Sequence, residues 1–307
     1  MSSNLAPICL FVYNRYEHTV RTVEALKKNT LASKSELYIF SDASKDSKSV
    51  VQVQKVREYV DTIKGFKKIT IIKAPKNMGL AESIISGVSS VIKKYGRVIV
   101  FEDDLVSSPL TLEYLNIMLD NYKNQEDVMS VTSYSYPEKT LEIDKFYNFD
   151  NYFTGRPCSW GWATWQDRWE SIQWEGDIYR DYLENESMQK QFMKYSGVDI
   201  DRMLKKQLAG HIDSWAVRFV FNCFLQKKLA SYPTKSYITN IGSDGTGTHR
   251  GVNEEYIVNY SLNINLPTNL LNDLYVDKDI WKQFNLFVRK KYFFRRALLF
   301  IRRKFYA

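Results

Sequence analysis

Three consecutive acidic residues, Glu102, Asp103 and Asp104, follow the apolar run 98–101 with no spacer. A buried strand that leads directly into three like charges is costly unless the acids lie at a sheet edge, in water or around a cation. Carboxylate oxygens suit Mg²⁺ and Mn²⁺, and Mg²⁺ is held by one or two carboxylates plus phosphates. The triplet is therefore a candidate metal and diphosphate site. The alternative is a solvated acidic turn before the helix that Pro109 opens.

Two further polar residues, Arg15 and Asp42, follow other apolar runs of the first half. Together they could line a pocket for a nucleotide base and ribose, with the carboxylate accepting N–H or O–H donors. The alternative is purely local, because Asp42 can form a turn with the neighbouring serines and Arg15 can pair with Glu17.

The segment GSDGTGTH, residues 242–249, ends in one of only three histidines in the chain. Its glycines allow close backbone approach, and its N–H groups with the imidazole of His249 suit contact with phosphate or metal. A flexible surface loop is the alternative interpretation.

Asp213 lies between His211 and Trp215, in an apolar setting that suits a general base. The alternative is a helix N-cap at Asp213 or at the serine after it.

The elements that must position these residues alternate between strand and helix in the first half. The apolar patterns predict strands and helices at the following positions: strands over 7–15, 36–44, 68–74 and 98–104, and helices over 18–29, 49–64, 77–96 and 109–123. Four strand-helix units predict an α/β fold with an open, mostly parallel sheet and helices on both faces. Ligands of such sheets bind at the carboxyl ends of the strands, where the polar residues collect. No GxGxxG or GxxxxGK[ST] motif is present, which argues against dinucleotide oxidoreductases and P-loop proteins.

The net charge of +8 comes from the end of the chain, since residues 281–307 hold nine Lys or Arg and no acid. The remainder has 34 basic and 35 acidic residues, so no nucleic-acid partner is expected. Three scattered cysteines indicate neither disulfides nor a zinc site, and no run of 18 apolar residues or signal peptide is recognised. A cytoplasmic location is expected.

The basic tail, residues 281–307, interleaves basic residues with large apolar ones. Wound as a helix it is amphipathic, which predicts binding to an anionic membrane surface. We expect a peripheral protein on the inner face of the plasma membrane. A helix that packs on the body of the protein, or on a partner, is the alternative.

Taken in order, these segments resemble a glycosyltransferase of the GT-A fold. The ordered set runs over residues 6–250 and comprises YNR, SDAS, NMGL, VIVFEDDL with SSP, SWGWATW, HIDSW and IGSDGTGTH. It is similar to bacterial family 2-like transferases of capsule and O-antigen synthesis. It is also similar to eukaryotic N-acetylglucosaminyltransferase I, an inverting, Mn²⁺-dependent enzyme that uses a UDP-sugar.

The resemblance implies a GT-A, Rossmann-like mixed sheet, mostly parallel and flanked by helices, over residues 1–255. A linker over 256–280 and the basic amphipathic helix over 281–307 would follow. The implied activity is a metal-dependent, inverting hexosyl- or N-acetylhexosaminyl-transfer from a nucleotide-sugar, most naturally a UDP-sugar. The implied acceptor is a hydroxyl of a glycan or lipid-linked oligosaccharide in bacterial surface polysaccharide synthesis, and Mn²⁺ or Mg²⁺ is the implied cofactor.

The resemblance also implies roles for individual residues. Asp104 would ligate the metal, Asp213 would be the catalytic base, and His249 would approach the diphosphate or the metal. The residues implied at the donor or in the sugar and acceptor pocket are Arg15, Asp42, Asn77, Gly79, Glu102, Asp103, Trp160, Gly161 and Trp162.

One departure concerns the base, since the eukaryotic enzyme has two adjacent acids before its tryptophan and this chain has only Asp213 there. Two other functions are consistent with parts of the pattern. A sugar-phosphate nucleotidyltransferase uses a similar sheet, but YNRYEH is not the Gly-rich, basic phosphate loop it needs after the first strand. A non-catalytic carbohydrate- or lipid-binding protein is the other. The sequence does not indicate the oligomeric state.

Overall fold

The first half of the chain forms the alternating strands and helices that its apolar pattern predicts. A computed structural model of the 307-residue chain describes residues 5–244, 258 and 264–288. The elements of this half are β1 (Ile8–Val12), α1 (Tyr16–Lys27), β2 (Glu36–Ser41), α2 (Val50–Asp61), β3 (Lys68–Lys73), α3 (Leu80–Tyr95), β4 (Arg97–Glu102), β5 (Leu105–Ser107) and α4 (Thr111–Tyr122). Gly96, at φ 74°, ends α3 in the left-handed conformation that glycine adopts without strain.

The second half extends the sheet and adds a group of helices. Its elements are β6 (Val128–Thr132), β7 (Asn151–Thr154), β8 (Trp162–Trp165), α5 (Gln166–Glu170), α6 (Asp177–Glu184), α7 (Glu186–Ser196), α8 (Val198–Leu208), α9 (Trp215–Leu225), β9 (Leu229–Pro233) and β10 (Ile238–Asn240). A further helix, α10, covers residues 278–288.

Eight strands form one mixed sheet in the order β3-β2-β1-β4-β8-β6-β9-β7. The first four run parallel, with Leu10 of β1 beside Ile39 on one side and Phe101 on the other. Beyond β4, β8 is antiparallel to both β4 and β6, and β9 is parallel to β6 but antiparallel to β7. This confirms the predicted mixed α/β fold.

Helices cover both faces of the sheet. Helices α1, α2 and α4 supply apolar side chains to one core, and α3 and α9 supply them to the other. In α3 the buried residues Ile84, Val88 and Val91 recur at helical spacing. Gly87 lets α3 approach β1 closely, because a β-carbon there would lie 2.7 Å from the ring of Phe11. This packing fixes where the first turn of α3 meets the sheet.

Residues 264–288 pack on the body of the protein, where the sequence predicts a linker and the start of the tail. The carbonyl of Leu271 accepts a hydrogen bond from the Tyr122 hydroxyl at 2.6 Å, and Ile280, Phe284 and Val288 are buried. The buried spacing of four residues is that of an amphipathic helix whose apolar stripe faces a core. Residues 289–307 of the tail lie outside the described part. Among the helices described, none combines the length and the apolar character that a membrane-spanning segment requires.

Candidate active site at the carboxyl edge of the sheet

The strand order places a ligand crevice between β1 and β4. The chain runs from β1 outward through β2 and β3, and then returns to place β4 on the other side of β1. In open α/β sheets the crevice at such a reversal, outside the carboxyl ends of the strands, is where ligands bind. We call the residues that follow β1, β2 and β4, namely 13–15, 42–44 and 102–104, the carboxyl edge.

Arg15 joins the ends of β1 and β4. Its guanidinium forms ion pairs with Asp103 and Asp104, the latter at 2.8 Å, and only 7% and 15% of these two acidic side chains are exposed. The local pair that the sequence offered does not form, because Glu17 lies 3.5 Å from the ammonium of Lys55. The guanidinium of Arg15, at the end of the neighbouring strand β1, therefore compensates part of the negative charge of the acidic triplet.

The three acids still repel one another. Burial, together with repulsion from Asp104 and Asp103, raises the pKa of Glu102 to about 8. Burial raises the pKa of Asp103 to about 6, although Arg15 opposes the shift. Burial disfavours the charge on Arg15, but Asp103 and Asp104 more than compensate and its pKa is raised. One guanidinium thus leaves negative charge that a further cation would stabilise.

The beginning of the GSDGTGTH segment packs against the acidic triplet. Strand β10 pairs with β5 so that Asn240 lies beside Leu105, and the amide of Ile241 donates to the carbonyl of Asp104 at 2.9 Å. A β-carbon on Gly242 would lie 2.1 Å from Oδ2 of Asp104. Only glycine fits here, because a β-carbon would overlap the carboxylate of Asp104.

His249, at the other end of this segment, lies outside the described residues, so its contact with phosphate or metal stays a prediction. The structure adds a different histidine to the edge. Nε2 of His18, in the first turn of α1, lies 3.1 Å from Oδ2 of Asp244. The sequence analysis did not single out His18. Its position three residues after Arg15 was a usable signal, because residues three apart in a helical turn lie close together.

Asp42 organises the loop before α3. Its two carboxylate oxygens accept four hydrogen bonds, from the amides of Ala43, Met78 and Gly79 and from the side chain of Asn77, at 2.8–3.0 Å. A carboxylate has about four acceptor positions, so the protein occupies all of them. Asp42 therefore holds Asn77 and Gly79 in place at the carboxyl edge, and its predicted contact with a nucleotide would act through that loop.

Asp213 reaches the same loop from the other half of the chain. Its Oδ2 accepts a hydrogen bond from the amide of Ala81 at 3.1 Å, at the amino end of α3. Gly79 has φ 80°, and a β-carbon there would lie 2.8 Å from the same oxygen. Free amides and the helix dipole favour a carboxylate at this place. The side chain of Asp213 thus binds α3, while Ser214 occupies the N-cap of its own helix.

Trp162 requires a correction. The sequence predicts that it shapes a sugar pocket, but it is fully buried on β8, where its indole stacks 4.9 Å from Trp215 and 5.7 Å from Trp169. It is the first residue of β8, and its side chain lies in the core to which α3 and α9 contribute. Trp162 therefore supports the sheet and cannot contact a sugar with its side chain.

Trp160 and Gly161 lie on the approach to β8. Trp160 is half-buried and makes an edge contact with Tyr134, with 4.6 Å between ring centroids. Gly161 has φ 54°, and a β-carbon there would lie 2.4 Å from Oγ of Ser133, so glycine is required. Their predicted contribution to a sugar or acceptor pocket stays a prediction.

A family model described as "Glycosyl transferase family 2" matches residues 8–193, more than half of the chain. The chain belongs to this family. It is therefore a glycosyltransferase, and the match includes all of the first four strands and the acidic triplet.

Two solved structures are similar to this one at low identity. The mannosyltransferase PcManGT from Pyrobaculum calidifontis, in complex with GDP-Man and Mn²⁺, is 14% identical, with 54% of this chain and 46% of that chain covered and a TM-score of 0.36. S. aureus TarS 1-349 in complex with UDP is 12% identical, with 76% and 59% covered and a TM-score of 0.40. The chain thus spans about half the length of these proteins. No curated protein sequence matches it.

The carboxyl edge of this glycosyltransferase has the donor atoms that a hard divalent cation requires. The carboxylate of Glu102 makes no hydrogen bond to any described residue, and it lies beside Asp103 and Asp104, whose charges already raise its pKa. Within the described part of the chain, no three His, Cys, Asp or Glu side chains are arranged to hold a metal alone. The residues therefore fit Mg²⁺ or Mn²⁺ held by one or two carboxylates and completed by substrate phosphates.

Proposed function

We propose that this glycosyltransferase moves a sugar from a nucleotide-sugar, with a UDP-sugar as the first choice, to a hydroxyl of a glycan or lipid-linked oligosaccharide. The transferred group would be a hexosyl or N-acetylhexosaminyl group. One observation carries the proposal: Arg15 bridges Asp103 and Asp104 at the reversal between β1 and β4. It combines the position expected for a ligand with charges of both signs, which a sugar diphosphate needs.

Donor binding uses the residues gathered at this edge. The N–H groups of Arg15 that do not bind Asp103 or Asp104 contact the nucleotide. Asn77 and Gly79, which Asp42 holds in place, line the far side of the base and ribose. Glu102 and Asp103 accept hydrogen bonds from hydroxyls of the ribose or the donor sugar. The partners other than Glu102 are pre-positioned by hydrogen bonds within the protein, which lowers the entropy lost on binding.

A divalent cation, Mn²⁺ or Mg²⁺, would be held by Asp104 with Glu102 nearby. Bound there, it would stabilise the negative charge that develops on the departing nucleoside diphosphate. Arg15 supplies positive charge to the same region through its guanidinium. His249, whose segment begins against Asp104 at Gly242, is proposed to approach the diphosphate or the metal.

Asp213 is the proposed general base. It takes the proton of the acceptor hydroxyl as the oxygen forms a bond to the anomeric carbon and the bond from that carbon to the diphosphate oxygen breaks. Attack from the face opposite the leaving group inverts the anomeric configuration. The amide of Ala81 holds one carboxylate oxygen of Asp213 and leaves the other to receive the proton. General base catalysis of this kind contributes about 10²- to 10⁴-fold in rate.

We infer the class of acceptor and the cellular location from the composition of the basic tail. The basic and apolar residues of its part 289–307 would bind an anionic membrane, which suits an acceptor carried on a lipid and a role in surface polysaccharide synthesis. The proposed location is the inner face of the plasma membrane, where the protein is peripheral.

The test measures nucleoside diphosphate released from a panel of nucleotide-sugars by the purified full-length chain, with Mn²⁺ and with EDTA. We expect Asp213→Asn to lose transfer by about 10²-fold or more. It should retain UDP binding, because the amide oxygen of asparagine can still accept from Ala81. The matched control is Asp181→Asn, an exposed carboxylate on α6, which should transfer normally. Normal turnover by Asp213→Asn would refute the assignment of the base, and no donor cleavage in the whole panel would refute the proposed donor class.

A further inference from the structure

A cavity remote from the carboxyl edge has a volume of about 710 Å³. It lies between α7, the end of α9 and the segment 276–281, and we call it the α7–α9 cavity. Ligand-binding cavities commonly measure about 300–1,000 Å³. Asp213 precedes the first turn of α9, whereas the cavity lies at the last residues of this helix. The eleven residues of α9 therefore separate Asp213 from the cavity by ~16 Å, at 1.5 Å per residue.

The walls of the α7–α9 cavity are mostly apolar. They include Met188 of α7, Phe224 and Leu225 at the end of α9, and Val276 and Trp281 of the C-terminal segment. All five side chains are half-buried, so each presents apolar surface to the cavity without being part of the core. Such walls suit an aliphatic chain, because removing apolar surface from water is favourable.

One wall is anchored to the body by charge and packing. The guanidinium of Arg156 lies 5.3 Å from the centroid of the Phe284 ring in α10 and forms an ion pair with Asp199 at 2.8 Å. Ile280 and Phe284, in the same helix as Trp281, are buried against the body of the protein. Trp281 is therefore held in position by the helix that carries it, and the cavity does not depend on a loose segment.

The rim of the α7–α9 cavity is positively charged. Lys194, Lys227 and Lys278 line it and are exposed, and none of the described lining residues is acidic. Within the described residues none of the three ammonium groups forms an ion pair or a side-chain hydrogen bond. Three unpaired cations around an apolar cavity are complementary to an anionic head group on an apolar chain.

Lys227 provides an independent indication. It follows the end of α9 with φ 54°, the only positive φ among the described residues other than glycine. Glycine or asparagine is the usual residue at this place, because a β-carbon is strained in the left-handed region. Strained residues of this kind cluster where function requires their side chains. Here the strained backbone places a lysine on the rim of the cavity.

We propose that the α7–α9 cavity binds a phosphorylated lipid, with an alkyl or prenyl chain between α7 and Trp281 and the phosphate at Lys194, Lys227 and Lys278. This site goes beyond the proposed function, since it lies at the opposite end of α9 from Asp213 and none of its described lining residues belongs to the carboxyl edge. The tail is unsuited to fill the cavity, because residues 289–307 carry eight Lys or Arg and no acid and the rim is also basic. The bound lipid would hold the body of the enzyme against the membrane.

The test uses the full-length chain and bromododecyl phosphate below its micelle concentration. Bromine quenches nearby indoles, so we expect saturable quenching of tryptophan fluorescence that is largely lost in Trp281→Phe. Bromododecanol, which lacks the phosphate, should bind more weakly, and inorganic phosphate should not compete. Two results would overturn the proposal: bromododecanol binds as tightly as bromododecyl phosphate, or inorganic phosphate displaces bromododecyl phosphate. In either case the site would not recognise the alkyl chain and the phosphate together.

Variants of the rim separate specific binding from general attraction to a basic protein. The triple variant Lys194→Gln, Lys227→Gln and Lys278→Gln should weaken binding by about tenfold or more. The matched control removes the same charge elsewhere on the surface, with Gln at the three exposed lysines Lys64, Lys67 and Lys206. An equal loss in both triple variants would overturn the proposal.

Two single variants keep the test valid if the triple variant folds poorly. Lys227→Gly removes backbone strain, so it should raise the melting temperature and yet weaken binding of bromododecyl phosphate. Leu225→Trp fills the cavity and should abolish the saturable quenching of Trp281. Unchanged affinity in both variants would show that the lipid binds elsewhere, and would overturn the proposal independently of any measurement of sugar transfer.

Discussion

Replacing Arg15 with glutamine should destabilise the whole protein and not only its active site. The guanidinium is paired with Asp103 and Asp104, and just 18%, 7% and 15% of the three side chains are exposed. Removing one partner of a buried ion pair leaves an uncompensated charge and costs about 3–5 kcal/mol. Protonation of Asp103, whose pKa burial already raises to about 6, relieves part of this cost. We therefore expect a loss of about 3 kcal/mol in the free energy of unfolding.

The assay is urea denaturation of the full-length chain followed by tryptophan fluorescence. The matched control is Lys73→Gln, which also removes one positive charge but from an exposed pair with Asp61, where about 0–1 kcal/mol is expected. Mn²⁺ should recover more stability in Arg15→Gln than in the unmodified protein, because the freed carboxylates can bind it. A destabilisation by Arg15→Gln no larger than that of the control would refute the reasoning that the acids depend on Arg15.

Three further substitutions probe the same edge and its support. Asp42→Asn offers one acceptor oxygen where the carboxylate accepts four hydrogen bonds, so it should cost about 2 kcal/mol in denaturation and speed amide exchange at 77–79. Gly242→Ala must displace Asp104, since its β-carbon would lie 2.1 Å from Oδ2, so we expect about tenfold slower sugar transfer or worse, together with a loss of about 1–3 kcal/mol in the free energy of unfolding. Trp162→Ala should cost about 3–5 kcal/mol while the folded fraction binds nucleotide normally. Normal stability with impaired donor binding would instead restore Trp162 to the sugar pocket.

The regular part of the fold could be predicted because its signals are local. Strands β1 to β4 and the helices between them lie where the apolar periodicity places them, since each must bury one side against its immediate neighbours. The carboxyl edge followed from this alternation, because parallel strands of such units all end on the same side. Arg15, Asp42 and the acidic triplet were therefore expected together before any contact between them was known.

The second half was harder to predict, because its strands pair with partners far away in the chain. Strand β8 enters the sheet between β4 and β6, and its four residues show no alternation between polar and apolar. A buried tryptophan and a ligand-binding tryptophan look alike in such a segment. Trp162 was assigned to a pocket for this reason, and only the stacking on Trp169 and Trp215 distinguishes the two.

The amino-acid sequence alone determined the class of fold and the kinds of side chain available at its carboxyl edge, because periodicity and residue chemistry are properties of short segments. Tertiary structure decided which of those side chains face one another. Asp213 meets the amide of Ala81 across 132 positions, and Arg15 meets Asp104 across 89. Hydrogen bonds and ion pairs act over a few ångströms, whereas the chain brings their partners together only by folding, so no local pattern contains these pairings.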